Sequence, residues 1–193
     1  METGIILLAA GNSSRLGQSK QLIHLQGVPL LRKCAVEALK TTCPVMVVLG
    51  ANAAAHQAVL TDLQLDSIVN TTWQSGMGNS LKAGLAALLS KLPGMQAVMI
   101  LVCDQPYLSA NHLTNLLTAA QTHSQPIVAS AYAGTVGVPV LFKKDFFEVL
   151  LHLPNHAGAR KILEQSAQHV YSLPFDKGEI DLDTPQDLLH LPG

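Results

Sequence analysis

Apolar residues gather in short unbroken runs: "GIILLAA" (Gly4 to Ala10), "PVMVVLG" (Pro44 to Gly50), "SIVN" (Ser67 to Asn70) and "AVMILVC" (Ala97 to Cys103). Such runs predict strands covered on both faces, because a strand with one wet face alternates apolar with polar positions. Between them, "PLLRKCAVEALKT" from Pro29, "NAAAHQAVLTDL" from Asn52 and "NSLKAGLAALLSKL" from Asn79 carry apolar residues at three- and four-residue spacing. That spacing predicts helices, the first opening on a proline whose missing N–H costs nothing in a first turn. Strand and helix alternate, so a parallel α/β sheet with right-handed crossovers is expected. Beyond Pro126 the rhythm changes: "PIVASAYAG" and "VGVPVLF" are strand-like runs joined by a glycine-bearing turn, followed by helical stretches near Lys143 to Leu151 and Gly158 to Ala167. A mixed sheet with an antiparallel excursion in its second half is therefore expected.

Composition narrows the classes. A chain of 193 residues, 48% hydrophobic and 13% charged, can bury one substantial core and is not disordered. Twelve Lys and Arg against thirteen Asp and Glu leave no basic excess for duplex nucleic acid. Cys34, Cys43 and Cys103 are odd in number and widely spaced, which fits neither a disulfide framework nor a paired-cysteine zinc site and reads as reduced core thiols. No apolar run approaches the ~20 residues that cross a bilayer, and "METGIILLAAG" lacks the basic region and cleavage site of a signal peptide. A soluble cytoplasmic protein with no membrane or nucleic-acid partner is expected.

The candidate chemistry begins in the loop after the first run, "LLAAGNSSRLGQSK" (Leu7 to Lys20). In an open parallel sheet, ligands sit outside the carboxyl ends of the strands, where this loop falls. Its glycines, Gly11 and Gly17, and its lysine have the wrong spacing for a Walker loop, and Asn12 and Ser13 break the dinucleotide fingerprint. What remains is a backbone whose N–H groups can converge on an anion, with Arg15 and Lys20 placed to meet negative oxygens. A solvated loop with two incidental cations has the same spacing, so spacing alone leaves both readings open.

The loop also fits the pattern L-A-A-G-x-S-x-R-x-G-x-x-K, through Leu8, Ala9, Ala10, Gly11, Ser13, Arg15, Gly17 and Lys20. It resembles the signature of the nucleotidyltransferases of molybdenum cofactor maturation, in particular the molybdenum cofactor cytidylyltransferases. "LIHLQGVPLL" (Leu22 to Leu31), "NTTWQSGMGNSL" (Asn70 to Leu81), "CDQP" (Cys103 to Pro106), "GTVGVPVLF" (Gly134 to Phe142) and "DLDTPQDL" (Asp181 to Leu188) continue the resemblance in the family's order over nearly the whole chain. It departs where the family commonly has G-D-x-G-A-R. Here "PNHAGAR" puts Asn155 and His156 at the Gly-Asp positions and keeps Gly158, Ala159 and Arg160, so the acceptor is more in question than the nucleotide chemistry.

The resemblance implies a three-layer Rossmann-like nucleotidyltransferase fold in a single domain, with a nucleotide-binding half over about 1–106 and an acceptor-binding half over about 107–193. It implies Mg²⁺, with Mn²⁺ as a possible substitute, held by Asp104 and Asp183, with Asp181 as an alternative. Asp104 and Asp183 also suit a turn or a helix start. Lys20, Arg15 and Asp104 are the implied catalytic groups, the two cations stabilising departing pyrophosphate. Leu8 to Gly11 would bind the nucleotide together with Arg15, Lys20, Asn52, Asn70 and Ser80. Ala10, where a guanosine-specific loop carries glycine, favours CTP. Trp73, Gly76, Met77, Gly78, His156 and Arg160 fall on the acceptor side, though a tryptophan and a methionine also suit simple packing. The eight histidines show no shared metal-ligand spacing, and most are expected at the surface or partly buried, without catalytic work. A molybdopterin-type phosphate acceptor and a molybdenum hydroxylase are the implied partners. A guanylyltransferase, a sugar-phosphate nucleotidyltransferase, or a non-catalytic assembly factor for such a hydroxylase are the competing readings.

Overall fold

The structure, a computed structural model, describes residues 1–14, 16–182, 186 and 187. Its strands are β1 (Thr3–Ala9), β2 (His24–Leu25), β3 (Val28–Pro29), β4 (Val45–Leu49), β5 (Asp66–Val69), β6 (Ala97–Val102), β7 (Ile127–Tyr132), β8 (Thr135–Lys143) and β9 (Val170–Pro174). The helices are α1 (Leu30–Leu39), α2 (Ala53–Ala58), α3 (Met77–Lys91), α4 (Ala110–Thr122), α5 (Phe147–Leu151) and α6 (Ala159–Gln165). Seven strands form one sheet in the order β5-β4-β1-β6-β8-β7-β9, and β2 with β3 makes a small separate hairpin. Strands β5, β4, β1 and β6 pair in parallel, and β8 runs against both its neighbours, β6 and β7. The mixed α/β sheet and its antiparallel excursion are thus as the apolar runs indicate.

The unbroken apolar strands are explained by cover on both faces. Ile5 and Leu7 point to a core shared with Leu30, Leu31 and Cys34 of α1 and Leu113 and Leu116 of α4. Their neighbours Ile6 and Leu8 point the other way, to Leu81, Leu85 and Leu88 of α3 and to α5 and α6. Helix α3 lies close on the sheet because Gly84 carries no side chain: a Cβ there would stand 2.7 Å from Val48 Cγ2.

Helix α4, edge strand β9 and the β2–β3 hairpin have no counterpart in the sequence reading. Helix α4 is capped by the Ser109 hydroxyl, which accepts from His112 N, and it presents Leu113, Leu116 and Ala120 to the core. Edge strand β9 pairs in parallel with β7. Helix α3 starts at Met77, two residues before the expected Asn79.

Two histidines are exceptions to the expected placement: His56 and His112 are both buried. His112 Nε2 lies 2.8 Å from Ser130 Oγ, which donates to Pro139 O at 2.7 Å, and the ring stacks on Phe175. Burial pushes its pKa down to about 4. An unfolded histidine titrates near 6.5, so the folded state holds fewer protons between those values and stability falls as pH drops through that window. The loss reaches roughly 3 kcal/mol at the acid end. Unfolding free energies measured from pH 7 to pH 4 should decline less steeply for His112→Gln than for the parent. Parallel declines would contradict the assignment.

Candidate active site

The parallel pairing of β1 with β6 sets Leu8 opposite Val102, so the residues that follow each strand emerge side by side at the carboxyl edge of the sheet. After β1 comes the loop to Lys20, and after β6 comes Asp104. Lys20 Nζ meets Asp104 Oδ2 at 2.7 Å, both side chains about one-fifth exposed at 17% and 21%. A residue at the end of the glycine loop and one far along the chain are thereby brought into direct contact, each still reachable from solvent.

Three cavities converge on this pair. The first, about 300 Å³, is lined by Leu8, Ala9, Ala10, Gly11, Lys20, Gln21, Trp73, Gln74, Gly76, Met77, Ser80, Val102, Cys103 and Asp104. A second, about 180 Å³, lies inside the loop, between Gly11 to Ser14, Lys20 and Leu182. The third, about 290 Å³, carries Asp104, Gln105, Tyr132, Gly158, Arg160 and Asp181 and shares Met77, Val102 and Asp104 with the first. Lys20 therefore borders the first two cavities and Asp104 the first and third. Each of the larger two is at the lower end of the size of a small-molecule site.

The loop is held from beneath. Gln21, only 1% exposed, donates its amide to Ala9 O at 3.3 Å and Gly11 O at 2.9 Å. Its carbonyl oxygen accepts from Ser13 Oγ at 3.2 Å and Ser19 Oγ at 2.8 Å, and Lys20 N donates to Ser13 Oγ. Sequence reading passed over Gln21, since an uncharged side chain next to a matched lysine gives no signal until its burial is known.

Other expected residues divide. Ser80 lines the first cavity, but Asn52 and Asn70 do not. Asn52 is exposed, at the start of α2, with a left-handed backbone. Asn70 is buried with its amide fully used: Nδ2 donates to Asn79 Oδ1 and Ser80 Oγ, while Oδ1 accepts from Thr72 N and Oγ1. It ties the end of β5 to α3. Trp73 does two things at once: its Cβ and Cγ pack over Gly50, and it lines the first cavity.

The missing side chains of Gly76 and Gly78 make room for protein backbone, and Gly76 also lines the first cavity. Gly76 has φ +121°, and a Cβ at either position would collide with the main chain of Pro154 to His156. Asn155 O accepts from Asn79 N at 3.3 Å and Asn155 Oδ1 accepts from Lys82 Nζ at 2.6 Å, so this segment covers the first turn of α3. The unusual Asn155 thus has a local role, latching the "PNHAGAR" segment to α3. His156 is exposed and lines none of the three cavities, whereas Arg160 lines the third and pairs with Glu164 at 3.0 Å. Arg15 and Asp183 lie outside the described residues.

The electrostatics argue against a protein nucleophile. Burial, and then the charge of Asp104, raise the Cys103 thiol well above its ordinary value, and burial pushes Cys34 up to about 12. Both stay protonated and inert. Tyr132 is raised by burial and by the negative charges of Asp181 and Asp104, which keeps its phenol a hydrogen-bond donor beside the third cavity.

A divalent cation is compatible with this donor set. Asp104 offers a partly exposed carboxylate between two cavities, and Leu182 N donates to Asp104 O at 3.0 Å, which brings the Asp181 segment alongside. One or two carboxylates with room for phosphate oxygens and water suit Mg²⁺ or Mn²⁺. Among the described residues no three His, Cys, Asp or Glu side chains form a complete cage. No described helix is long and apolar enough to cross a membrane.

The chain is similar to several known proteins of differing names. A molybdenum cofactor cytidylyltransferase of Escherichia coli is 24% identical, with 95% of this chain and 92% of that protein covered. A molybdenum cofactor guanylyltransferase of Rhodobacter capsulatus is 27% identical over 95% and 91%. The nicotine blue oxidoreductase of Paenarthrobacter nicotinovorans is 35% identical over 72% and 66%. Among solved structures, the manganese complex of Rv0371C from Mycobacterium tuberculosis superposes with a TM-score of 0.78 at 22% identity, covering 99% of this chain and 98% of that one. Residues 5–170 match the MobA-like NTP transferase domain, and the chain belongs to that nucleotidyltransferase family.

Proposed function

We propose that the protein is a CTP:molybdopterin cytidylyltransferase, transferring CMP from CTP to molybdenum cofactor and releasing pyrophosphate. The observation that carries this reading is the Lys20–Asp104 pair, which stands where the loop cavities meet the cavity of Tyr132 and Arg160. A triphosphate laid along the loop and an acceptor phosphate entering from the other side would meet there. The cytidylyltransferase and guanylyltransferase relatives named above support a transferase, and the manganese complex supports a divalent cation.

In this reading the base and ribose occupy the cavity floored by Leu8 to Ala10, beside Trp73 and Ser80. The phosphate tail follows Gly11 to Ser14 to Lys20. An oxygen of the acceptor's terminal phosphate forms a bond to the α-phosphorus, the bond from α-phosphorus to the bridging oxygen breaks, and pyrophosphate leaves with that electron pair. The chain's part is to position both phosphates and to offset charge, which is where phosphoryl-type transfer gains most. Lys20, and Arg15 with it, neutralise the departing pyrophosphate. Asp104 and Asp183 would hold Mg²⁺ or Mn²⁺, which supplies charge neutralisation between donor and acceptor phosphates. Arg160 would grip the acceptor, and a molybdenum hydroxylase would receive the product.

Pyrophosphate release assayed with CTP, with and without molybdopterin cofactor, tests this directly. Release that requires both supports the proposal; release with neither CTP nor GTP would leave an assembly factor, and release with a sugar phosphate instead would move the acceptor.

Nucleotide choice is tested separately. Ala10 lies in the cavity wall, where its methyl group narrows the room for a purine. CTP should turn over faster than GTP or ATP, and Ala10→Gly should narrow the CTP-over-GTP ratio of kcat/KM by roughly 10-fold, the scale of one methyl group in a pocket. A parent enzyme that prefers GTP would make it a guanylyltransferase.

A further inference from the structure

The hydrogen bonds beneath the loop leave no freedom in their direction. Gln21 Nε2 faces two carbonyl oxygens, Ala9 O and Gly11 O, which can only accept, so its amide orientation is determined. Gln21 Oε1 then accepts the single protons of Ser13 and Ser19. With its proton committed, Ser13 Oγ accepts from Lys20 N, the main chain of the residue that meets Asp104. Ser19 Oγ in turn accepts from His56 Nε2 at 2.7 Å, so His56 is the Nε2–H tautomer. His56 is fully buried with Nδ1 unpartnered, and burial lowers its pKa, which holds it in that neutral form. The chain of bonds runs from α2 through Ser19 and Gln21 to the loop.

A trans peptide sets each N–H opposite the preceding carbonyl. Fastening Ala9 O and Gly11 O to Gln21 turns Ala10 N–H and Asn12 N–H to the side away from it, and Ala10 O, held by Ala51 N at 3.0 Å, does the same for Gly11 N–H. Three successive peptide planes in the loop are thus set by two partners, one of them a single buried side chain.

We propose that Gln21 is a positioning residue for nucleotide binding: it presets the main-chain amides of Ala10 to Asn12 and the start of Lys20 before the nucleotide arrives. The inference rests on the nucleotide-binding reading above. It concerns the geometry of the loop rather than which base is bound, so its loss should weaken CTP and GTP by the same factor and leave the KM of the acceptor unchanged. A residue that only supports the fold would lower the unfolding temperature without that selective effect.

The experiment titrates CTP and GTP, each with Mg²⁺, into the parent protein, Gln21→Met and Gln21→Glu. The readout is fluorescence of Trp73, the chain's single tryptophan and part of the cavity wall, with thermal unfolding of each ligand-free protein alongside. Gln21→Met should raise the Kd of both nucleotides roughly 10-fold, and Gln21→Glu should raise it further because a carboxylate repels the two carbonyls. A folded Gln21→Met protein that binds both nucleotides as the parent does would overturn the proposal. If neither Gln21 variant folds, the Ser13→Ala, Ser19→Ala double variant decides, with a Kd about 3-fold or more above the parent expected and an unchanged Kd contradicting it. A parent protein that binds neither nucleotide would refute the nucleotide-binding reading itself, an outcome distinct from parent-like binding by the variants.

Discussion

Asparagine in place of Asp104 is expected to lower nucleotidyl transfer roughly 10³-fold, about 4 kcal/mol of transition-state stabilisation, while leaving the unfolding temperature nearly unchanged. Asparagine keeps the shape and removes the charge. In the ligand-free protein the asparagine carbonyl can still accept from Lys20 Nζ, so the hydrogen bond is kept while the charge is lost, and the stability cost stays small beside the kinetic one. In the reacting complex the same carboxylate would face a cation and two phosphates, where its loss leaves charge uncompensated. The large kinetic effect and small thermal effect, measured by pyrophosphate release and by thermal unfolding of one preparation, separate a metal-holding role from the helix-cap or turn role also open to this aspartate. Unchanged turnover at saturating CTP and Mg²⁺ would reject the metal role.

Lys20→Met comes next in expected size, with kcat/KM for CTP falling about 10²-fold. Lys20 stands between the loop cavity and Asp104, so it can follow negative charge as it passes from the triphosphate to departing pyrophosphate. A point charge on a flexible stem does this differently from a planar fork, and Lys20→Arg should recover only part of the loss. A fall in kcat as well as a rise in KM is expected, because the leaving group gains charge only in the transition state. A change confined to KM would mean that Lys20 merely holds the ground-state nucleotide.

The parallel sheet was legible because Ile5 to Leu8, Val45 to Leu49 and Val98 to Leu101 are apolar on both faces, a pattern with few other uses. Helix α4 was harder to see: its apolar residues are broken by Asn111, His112 and Asn115, and only Ser109 marks its start. At the site, Lys20 at the end of the glycine loop and Asp104 after β6 stood out in a chain with few charges, and the structure brings them together. Polar uncharged residues were less readable. Asn70 and Gln21 are amides of the same chemistry, yet Asn70 spends its hydrogen bonds tying β5 to α3 while Gln21 spends them beneath the loop. Which is which depends on the partners that tertiary packing supplies. Gly76 and Gly78 carried a similar ambiguity, since close approach is needed equally for a ligand and for protein backbone: both lie against the main chain near Asn155, and Gly76 borders the first cavity as well.

A divalent cation and a nucleoside triphosphate are expected to meet at Asp104. Electron paramagnetic resonance of Mn²⁺ measures this most directly, by titrating the ion into the parent protein and Asp104→Asn with CTP present and absent. The expected result is tight binding of one Mn²⁺ by the parent with CTP, weakened at least about 10-fold in Asp104→Asn. Equal Mn²⁺ binding by the two proteins in the presence of CTP would contradict it.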